Sequence, residues 1–208
     1  MHLKRNEAST KLPITRKGTT YVVRAVSNVN NSVPVLIALR DILKLAKTSR
    51  EVKAMMHSGL LKLNGRKIKS QNESIQLFNI LEAGKHYQLS LLPTKKFTFE
   101  EIKNPSSRLV KVTGKKLLSG NKIQLNLHDG SNTISKEKIS INDTLHLDFS
   151  GKITSHIQFE KAKDVFILSG KYAGLKGTLH SVINGNAKIK LKNIEGEREI
   201  PRSHIIAL

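Results

Sequence analysis

The feature that most constrains this chain is a short amphipathic helix leading directly into a tight turn, within residues 48–68. Val52, Met55 and Met56 recur at helical spacing, so they predict a helix with one apolar side facing a core. Ser49 is the predicted N-cap, because a serine hydroxyl accepts a backbone N–H that the first helical turn leaves unpaired. The stretch therefore predicts a helix that is buried on one side and open on the others.

A hairpin is predicted immediately after this helix. Asn64 and Gly65 separate two short strands, and both residues tolerate the positive φ that a two-residue hairpin turn requires. The turn directs Arg66 and Lys67 outward near the helix. Further cations stand outside the apolar side of the helix: Arg50, Lys53 and His57. Each feature alone is common in proteins that bind no nucleic acid, but their order and spacing favour a surface that holds a phosphate backbone.

A second helix is predicted just upstream, over residues 34–46. It starts with Pro34 and is apolar on more than one side, as a buried helix is. Helix, helix and then Gly-Leu-Leu-Lys-Leu-Asn-Gly-Arg, at residues 59–66, resembles the alpha-L RNA-binding motif. That small domain is shared by a primary-binding small-subunit ribosomal protein, many pseudouridine synthases and tyrosyl-tRNA synthetases. The resemblance implies RNA binding here, with His57 where the motif usually presents a cation.

The charge balance favours a polyanionic partner. The chain carries 36 Lys and Arg against 16 Asp and Glu, a formal net charge of +20 over 208 residues. Nucleic acid is the leading candidate, because such a field attracts phosphate. A membrane partner is not expected, since the sequence has neither an apolar run of about 18 residues nor a basic amphipathic helix with an aromatic face. Its first residues lack the apolar segment of a secretory signal and it contains no cysteine, so a cytoplasmic protein is expected.

The aromatic content indicates which kind of nucleic acid is bound. Three Tyr, six Phe and no Trp supply little surface on which single-stranded bases stack. Recognition is therefore expected to rest on the backbone and shape of structured RNA, through phosphate and 2′-hydroxyl contacts.

The chain divides into four predicted parts. Residues 1–32 form a basic N-terminal arm, for which ordering on RNA and plain disorder are equally open. Residues 33–92 form the alpha-L RNA-binding domain, which closes with strands near 75–81 and 86–92. The cations of the arm face a single acid, Glu7, and are Lys4, Arg5, Lys11, Arg16, Lys17 and Arg24.

Residues 93–160 form the third part, a strand-rich central domain. The segments 122–127 and 144–149 alternate polar and apolar side chains, so each predicts a strand with one buried face. The second strand is expected to form a hairpin with a strand resuming at residues 152–154. A short helix within residues 102–112 is a further prediction, which Pro105 weakens.

Residues 161–208 form the fourth part, a small β-barrel. Residues 164–179 predict a strand, a glycine-punctuated basic loop and a second strand, which resembles the KOW motif of ribosomal proteins and transcription elongation factors. The motif opens an SH3-like barrel, whose later strands are predicted at 187–191 after the turn 184–186, at 198–200, and on to 204–206. Two interpretations of Gly174 and Gly177 stay open. The glycines let the loop backbone approach a phosphate backbone closely, or they only form the turn of the barrel.

No catalytic or cofactor site is expected. The segment 170–177 lacks the Gly-Lys-Ser/Thr ending of a phosphate-binding loop. His128 and Asp129 fall in a predicted hairpin turn without a second pair or a carboxylate cluster at ligand spacing. The sequence therefore predicts no metal, no cofactor, no small-molecule substrate and no enzymatic activity.

Three signatures along nearly the whole chain resemble one family. They are residues 2–5 (His-Leu-Lys-Arg), residues 122–130 (Lys-Ile-Gln-Leu-Asn-Leu-His-Asp-Gly) and residues 159–161 (Phe-Glu-Lys). Together they resemble the four-e family of small-subunit ribosomal proteins of archaea and eukaryotes, and the compactness of the chain resembles the archaeal members. The resemblance implies an α+β multidomain protein that is a structural constituent of the small ribosomal subunit. Its expected partners are small-subunit ribosomal RNA and neighbouring small-subunit ribosomal proteins.

Two other functions stay open at this point. They are a free RNA-binding translation or stress factor, and an accessory RNA-binding subunit of an RNA-modifying enzyme. All three functions share one set of predicted RNA contacts: Lys4, Arg5, Arg16, Lys17, Arg40, Ser49, Arg50, Lys53, His57, Asn64, Arg66, Lys67, Lys171 and Lys176.

Overall fold

The structure is a computed structural model that describes residues 2–120, 122–161, 164–183, 185–192, 194 and 196–208. The chain forms two compact units, Met1–Ser106 and Ser107–Leu208. Both are rich in antiparallel strands, which confirms the coarse prediction of a strand-rich multidomain protein. The finer division into four parts stays a prediction.

The first unit combines three antiparallel sheets with two helices. A five-stranded sheet has the order β5-β4-β7-β8-β9, and two-stranded sheets pair β1 with β2 and β3 with β6. The strands are β1 (His2–Lys4), β2 (Tyr21–Val23), β3 (Ser32–Pro34), β4 (Leu61–Leu63), β5 (Arg66–Lys67), β6 (Ser74–Gln76), β7 (Ile80–Ala83), β8 (Lys85–Leu91) and β9 (Phe97–Ile102). The helices are α1 (Val35–Ile37), which continues into a π-helical turn (Ala38–Ile42), and α2 (Ser49–His57).

Helix α1 is shorter than its apolar sequence predicts. Pro34 is the last residue of β3 and stands in extended geometry before the helix. The helical conformation ends after the π-helical turn, and Lys44 takes a positive φ of 56°, which breaks any continuation to residue 46. The prediction that this helix is buried is confirmed, because Val35 to Leu39 are each at most 2% exposed.

Helix α2 begins one residue earlier than predicted, so the assignment of Ser49 as N-cap is wrong. The Thr48 hydroxyl accepts the backbone N–H of Glu51 at 3.3 Å, and a Glu51 carboxylate oxygen accepts the N–H of Lys47 at 2.7 Å. This reciprocal arrangement is a capping box. It satisfies the Glu51 N–H, which the first turn leaves free, and the Lys47 N–H just before the cap, and it holds the start of α2.

The Asn64-Gly65 hairpin is confirmed. Strands β4 and β5 pair with Leu63 opposite Arg66, and the two turn residues have φ values of 51° and 78°. Both values lie in the left-handed region that a two-residue hairpin turn needs.

The N-terminal segment has regular structure in this protein. Strand β1 pairs with β2, with His2 opposite Val23, and a 3-10 turn follows at Arg5–Glu7. Leu12 is buried, and the backbone N–H of Phe97 donates to the Lys11 carbonyl at 2.9 Å. Residues 2–32 are therefore an ordered part of the first unit, and they contain two strands that neither sequence interpretation predicted.

The second unit consists of two five-stranded antiparallel sheets, ordered β12-β11-β10-β13-β14 and β18-β17-β16-β15-β19. The strands are β10 (Ser107–Leu118), β11 (Lys122–Leu127), β12 (Asn132–Ser135), β13 (Thr144–Asp148), β14 (Ile153–Ile157), β15 (Asp164–Ile167), β16 (Lys176–Ile183), β17 (Asn186–Leu191), β18 (Glu197–Pro201) and β19 (Ile205–Ala207). All the strands predicted here from alternation are confirmed. Asn184 of the predicted turn lies outside the described residues.

The short helix predicted within residues 102–112 is wrong. Strand β9 ends at Ile102, and β10 runs from Ser107 through the rest of that range. Pairing decides the conformation, because Ser107 to Lys111 form a continuous antiparallel ladder with Asp148 to Thr144. Tertiary hydrogen bonding thus overrides the weak local preference.

Lys111 links the two sheets of the second unit. It is 2% exposed, and its ammonium donates to the carbonyl oxygens of Arg202 at 2.6 Å, Ser203 at 3.0 Å and Ile205 at 2.6 Å. The Thr144 hydroxyl accepts the N–H of Ala207 at 3.1 Å beside it. These contacts hold the 3-10 turn Arg202–His204 and strand β19 against the first of the two sheets.

Candidate nucleic-acid interface

Helix α2 presents a stripe of cations to solvent. Arg50, Lys53 and His57 stand three and four residues apart, so they share one face of the helix, and all three are exposed. Val52 is fully buried on the opposite side and fixes which face is free. Within the part of the chain that the structure describes, these three side chains have no hydrogen bond or ion pair to protein.

Lys67 joins this stripe from the hairpin. Its side chain lies beside Gly59 just past the end of α2, where a Cβ added to the glycine would stand 3.7 Å from the Lys67 Nζ atom. Gly59 has a φ of 74°, which closes the helix and lets the hairpin approach. The helix stripe and Lys67 therefore form one cationic surface, here called the α2 surface: Arg50, Lys53, His57 and Lys67.

Three predicted contact residues next to the α2 surface have partners inside the protein. The Ser49 hydroxyl donates to Gln71 Oε1 at 2.7 Å. The Asn64 side-chain oxygen accepts the Ile80 N–H at 2.9 Å, which ties the hairpin turn to β7. Each contact holds the local backbone, so the structure gives these side chains a positioning role.

Arg66 is the third, and its partner is Glu73. Its guanidinium lies 2.7 Å from a Glu73 carboxylate oxygen, and the other oxygen accepts the N–H groups of Lys69 at 2.6 Å and Ser70 at 3.3 Å. The Glu73 side chain is 14% exposed whereas that of Arg66 is 60% exposed. Arg66 therefore fastens the 69–73 loop with one edge and keeps another edge in solvent.

Arg40 is held by its neighbour in sequence. Two guanidinium nitrogens donate to the Asp41 carboxylate at 3.0 and 2.9 Å, and this hydrogen bonding raises the pKa of Arg40. Because the carboxylate cancels its charge locally, Arg40 contributes little to an anion-binding field.

A second cationic site lies in the N-terminal segment. Lys4, Arg5, Arg16 and Lys17 line one open cleft of about 630 Å³, together with Asn6 and residues 18–20. No carboxylate is among the described residues that line this cleft. Lys4, Arg16 and Lys17 are exposed there, whereas Arg5 is half-buried.

The second unit carries the two remaining predicted contacts in and beside the loop between β15 and β16. Lys171 is exposed, with its Nζ atom 5.7 Å from the ring centre of Tyr172, and Lys176 is exposed at the start of β16. Gly174 has a φ of 87° in this loop. Gly177 has no positive φ, and a Cβ there would lie 2.7 Å from both Ile189 Cγ2 and the Lys190 carbonyl oxygen. Gly177 is thus required by the packing of β16 on β17.

The sequence interpretation missed the side chains that hold these cations in place. The Glu73 carboxylate accepts from Arg66 seven residues away, and the Thr19 hydroxyl accepts from Arg5 fourteen residues away, so no local pattern marks either side chain. Thr48 and Glu51 are different, because the Thr-x-x-Glu spacing of a capping box is visible in the sequence and identifies the helix start.

The chain resembles one family of proteins along most of its length. A model described as Ribosomal family S4e matches residues 83–153. The small ribosomal subunit protein eS4 of Methanocella arvoryzae is 28% identical over 188 residues, covering 87% of this chain and 80% of that protein. The eS4 protein of Archaeoglobus fulgidus is 29% identical over 205 residues, covering 95% of this chain and 87% of that protein. The chain is therefore similar to ribosomal S4e proteins over most of its length.

A solved structure shares the fold of this chain. It is the crystal structure of the 30S ribosomal protein S4e from Thermoplasma acidophilum, with a TM-score of 0.71 and 24% sequence identity. The match covers 86% of this chain and 95% of that chain. Among the described residues of this chain, no helix has the length and apolar character needed to cross a membrane.

The His128-Asp129 pair, inside the S4e family match, has a structural role in the turn after β11. The His128 Nδ1 atom accepts the Lys111 N–H at 3.1 Å, and the Asp129 carboxylate binds the Arg108 guanidinium and the Ser131 hydroxyl. Burial alone raises the pKa of Asp129, but Arg108 and the Ser131 hydrogen bonds outweigh it, so this pKa is lowered. The pair therefore holds the hairpin.

Proposed function

We propose that this chain is a structural constituent of the small ribosomal subunit that binds and organises its ribosomal RNA, and that it is not an enzyme. The observation that carries the proposal is the similarity to archaeal eS4 proteins over 87% and 95% of the chain. The fixed cationic surfaces and the net charge of +20 supply a physical means of binding RNA.

The first unit contributes an alpha-L RNA-binding domain at residues 33–92. Two helices followed by a tight hairpin support this assignment, as does the α2 surface, whose four cations are free of protein partners within the described chain. Because a duplex of RNA exposes phosphates along its grooves, a rigid stripe of this kind binds backbone rather than bases.

The second unit contributes the strand-rich central domain, residues 93–160 in its predicted extent, and an SH3-like KOW barrel at residues 161–208. The order β18-β17-β16-β15-β19, in which the last strand pairs with the first of the segment, supports a sheet that curls toward closure. Lys171 and Lys176 place two cations at the β15–β16 connection of this segment.

The predicted RNA contacts, apart from Arg40, divide into two roles. Side chains that meet phosphate are exposed and unpaired within the described chain: Lys4, Arg16, Lys17, Arg50, Lys53, His57, Lys67, Lys171 and Lys176. Side chains that hold the local chain in position are bonded to protein: Arg5, Ser49, Asn64 and Arg66. Arg40 belongs to neither group, because Asp41 pairs with its guanidinium. Neighbouring small-subunit proteins are further partners.

A salt titration of RNA binding tests the proposal. The full chain is bound to small-subunit ribosomal RNA stripped of protein, and to large-subunit ribosomal RNA as the matched control. If six to ten phosphates are neutralised, affinity for the small-subunit RNA falls by roughly three to five powers of ten between 50 and 200 mM salt. A flat salt response, or equal affinity for both RNAs at every salt concentration, contradicts the proposal.

A further inference from the structure

Arg5 lines the N-terminal cleft, but its guanidinium is bonded to the protein itself. Its Nε atom donates to the Thr19 carbonyl at 2.6 Å, one terminal nitrogen to the Thr15 carbonyl at 2.6 Å, and the other to the Thr19 hydroxyl at 2.7 Å. The three hydrogen bonds connect Arg5 to Thr15 and Thr19, the two ends of a short turn. Arg16, Lys17 and Gly18 form the part of that turn between the two anchored threonines.

A backbone hydrogen bond closes the turn at residues 15–19, and the turn packs closely on the Arg5 guanidinium. The Arg5 backbone N–H donates to the Thr20 carbonyl at 2.9 Å, just beyond the β1–β2 pairing of Lys4 with Tyr21. Gly18 has a φ of 141°, and a Cβ there would stand 3.3 Å from the Arg5 Cζ atom. The chain therefore passes close over the guanidinium, with little room for a side chain at Gly18.

Further bonds within the turn fix its shape. The Thr15 hydroxyl donates to the Lys17 carbonyl at 2.9 Å, and the Thr19 hydroxyl donates to the Tyr21 carbonyl at 3.0 Å. Lys96 adds a hydrogen bond to the Thr10 carbonyl at the far side of the segment. The positions of Arg16 and Lys17 are thus set by protein contacts that need no RNA.

We propose that residues 15–19 form a preorganised phosphate-binding turn, in which Arg5 is the positioning residue and Arg16 and Lys17 contact a phosphodiester of RNA. The proposal rests on the proposed RNA-binding function. It adds that the four cations of the cleft have two different roles, positioning for Arg5 and phosphate contact for the others. It also replaces the sequence expectation of Arg5 as a phosphate contact and of an arm that orders only on RNA. Lys4, at the other wall of the cleft, supplies a third free cation.

Preorganisation has a measurable energetic meaning. When the turn loses its brace, only a fraction of molecules holds the binding geometry, and the apparent affinity falls by that fraction. A lysine in place of Arg5 keeps the charge but offers one ammonium instead of a planar fork, so it cannot reproduce three contacts in a plane. Arg5→Lys and Arg5→Gln are therefore expected to weaken RNA binding to the same extent. The loss is about tenfold if the turn of each variant has the binding geometry one tenth of the time.

The experiment compares four variants of the full chain for binding to protein-free small-subunit ribosomal RNA over a range of salt. Arg5→Lys and Arg5→Gln lower the affinity and leave the salt slope unchanged. The double variant Arg16→Gln/Lys17→Gln lowers the affinity and reduces the slope by about 2, because two phosphate contacts are lost. Thr19→Val removes one of the three acceptors of the Arg5 guanidinium with little change of shape, so it lowers the affinity less than Arg5→Lys does. It also tests the brace if the Arg5 variants fold poorly.

Trypsin cleavage of the free protein after Lys17 is the second readout. Cleavage follows the population of locally open turn, so Arg5→Lys and Arg5→Gln are cut about tenfold faster than the parent chain if the brace closes the turn nine tenths of the time. Arg16→Gln keeps the brace and is cut after Lys17 at the parent rate.

Two results overturn the proposal. One is full binding by Arg5→Lys together with a slope reduced by about 1 in Arg5→Gln, which would make Arg5 a phosphate contact. The other is an unchanged cleavage rate in both Arg5 variants. If the parent chain binds the RNA without salt dependence, the proposed function fails, and the cleavage readout still decides whether Arg5 braces the turn.

Discussion

Substitution of Lys111 tests how the second unit is held together. Lys111 is buried, and its three ammonium donors meet three backbone carbonyls at 2.6 to 3.0 Å. In Lys111→Met these carbonyls lose a charged donor, worth about 1.5 to 3 kcal/mol each, while the burial cost of the charge disappears. That cost is about 3 kcal/mol, because burial lowers the pKa of Lys111 from 10.5 to about 8. The expected net loss at pH 7 is roughly 2 to 6 kcal/mol.

The pH dependence of this loss gives a sharper measure than its size. Between the folded pKa of about 8 and the unfolded value of 10.5, the unfolded chain binds more protons, so stability rises with pH. The parent chain therefore gains about 2.5 kcal/mol over Lys111→Met between pH 7 and pH 10. Titration of the other groups cancels in this difference.

The assay is urea unfolding at pH 7, 8, 9 and 10, followed through the methyl NMR signals of Ile205 and Ile206, which report this unit. Lys116→Met, an exposed position in the same strand, is the matched control and shows no pH-dependent difference. A difference that stays flat for Lys111→Met refutes the reasoning. One that falls with pH also refutes it, since folding would then raise the pKa of Lys111 instead of lowering it.

Three further predictions concern the α2 surface, the cap of helix α2 and the packing of β16 on β17. Arg50→Gln/Lys53→Gln reduces the salt slope of ribosomal RNA binding by about 2 with an unchanged melting temperature, and a fall in melting temperature would mean that these side chains pack. Thr48→Ala loses the helix cap and destabilises the chain by about 1 kcal/mol in urea unfolding, whereas Thr48→Ser does not; equal losses would contradict the cap. Gly177→Ala, whose Cβ would lie 2.7 Å from the Lys190 carbonyl, costs roughly 1 to 3 kcal/mol, and a neutral result would contradict the close packing of β16 on β17.

Local patterns in the sequence were sufficient for the elements around the α2 surface. The spacing of Val52, Met55 and Met56 gave helix α2, and the Asn64-Gly65 pair gave the hairpin, because each depends on residues within one turn of chain. Alternation gave the strands of the second unit for the same reason. The predicted N-cap of α2 was wrong by one residue, although the Thr48-x-x-Glu51 spacing of a capping box identifies the correct one.

Non-local contacts account for what the sequence did not reveal. Strands β1 and β2 have three residues each. The segment between them is held by Arg5 and by a hydrogen bond from Lys96 to Thr10, which no periodicity records. In the same way, the sequence cannot separate free cations from bonded ones. Arg66 and Lys67 look equivalent in the chain, yet Glu73 binds only the first.

The most direct test of the central claim is the distribution of this chain in cells. Lysate is fractionated on sucrose gradients at low and high salt, and the chain is quantified in each fraction against known small-subunit proteins. A structural constituent of the small subunit co-migrates with it at about one copy per particle and remains there at moderately raised salt. A soluble pool, or a substoichiometric amount that salt removes at once, contradicts the account and indicates a free RNA-binding factor.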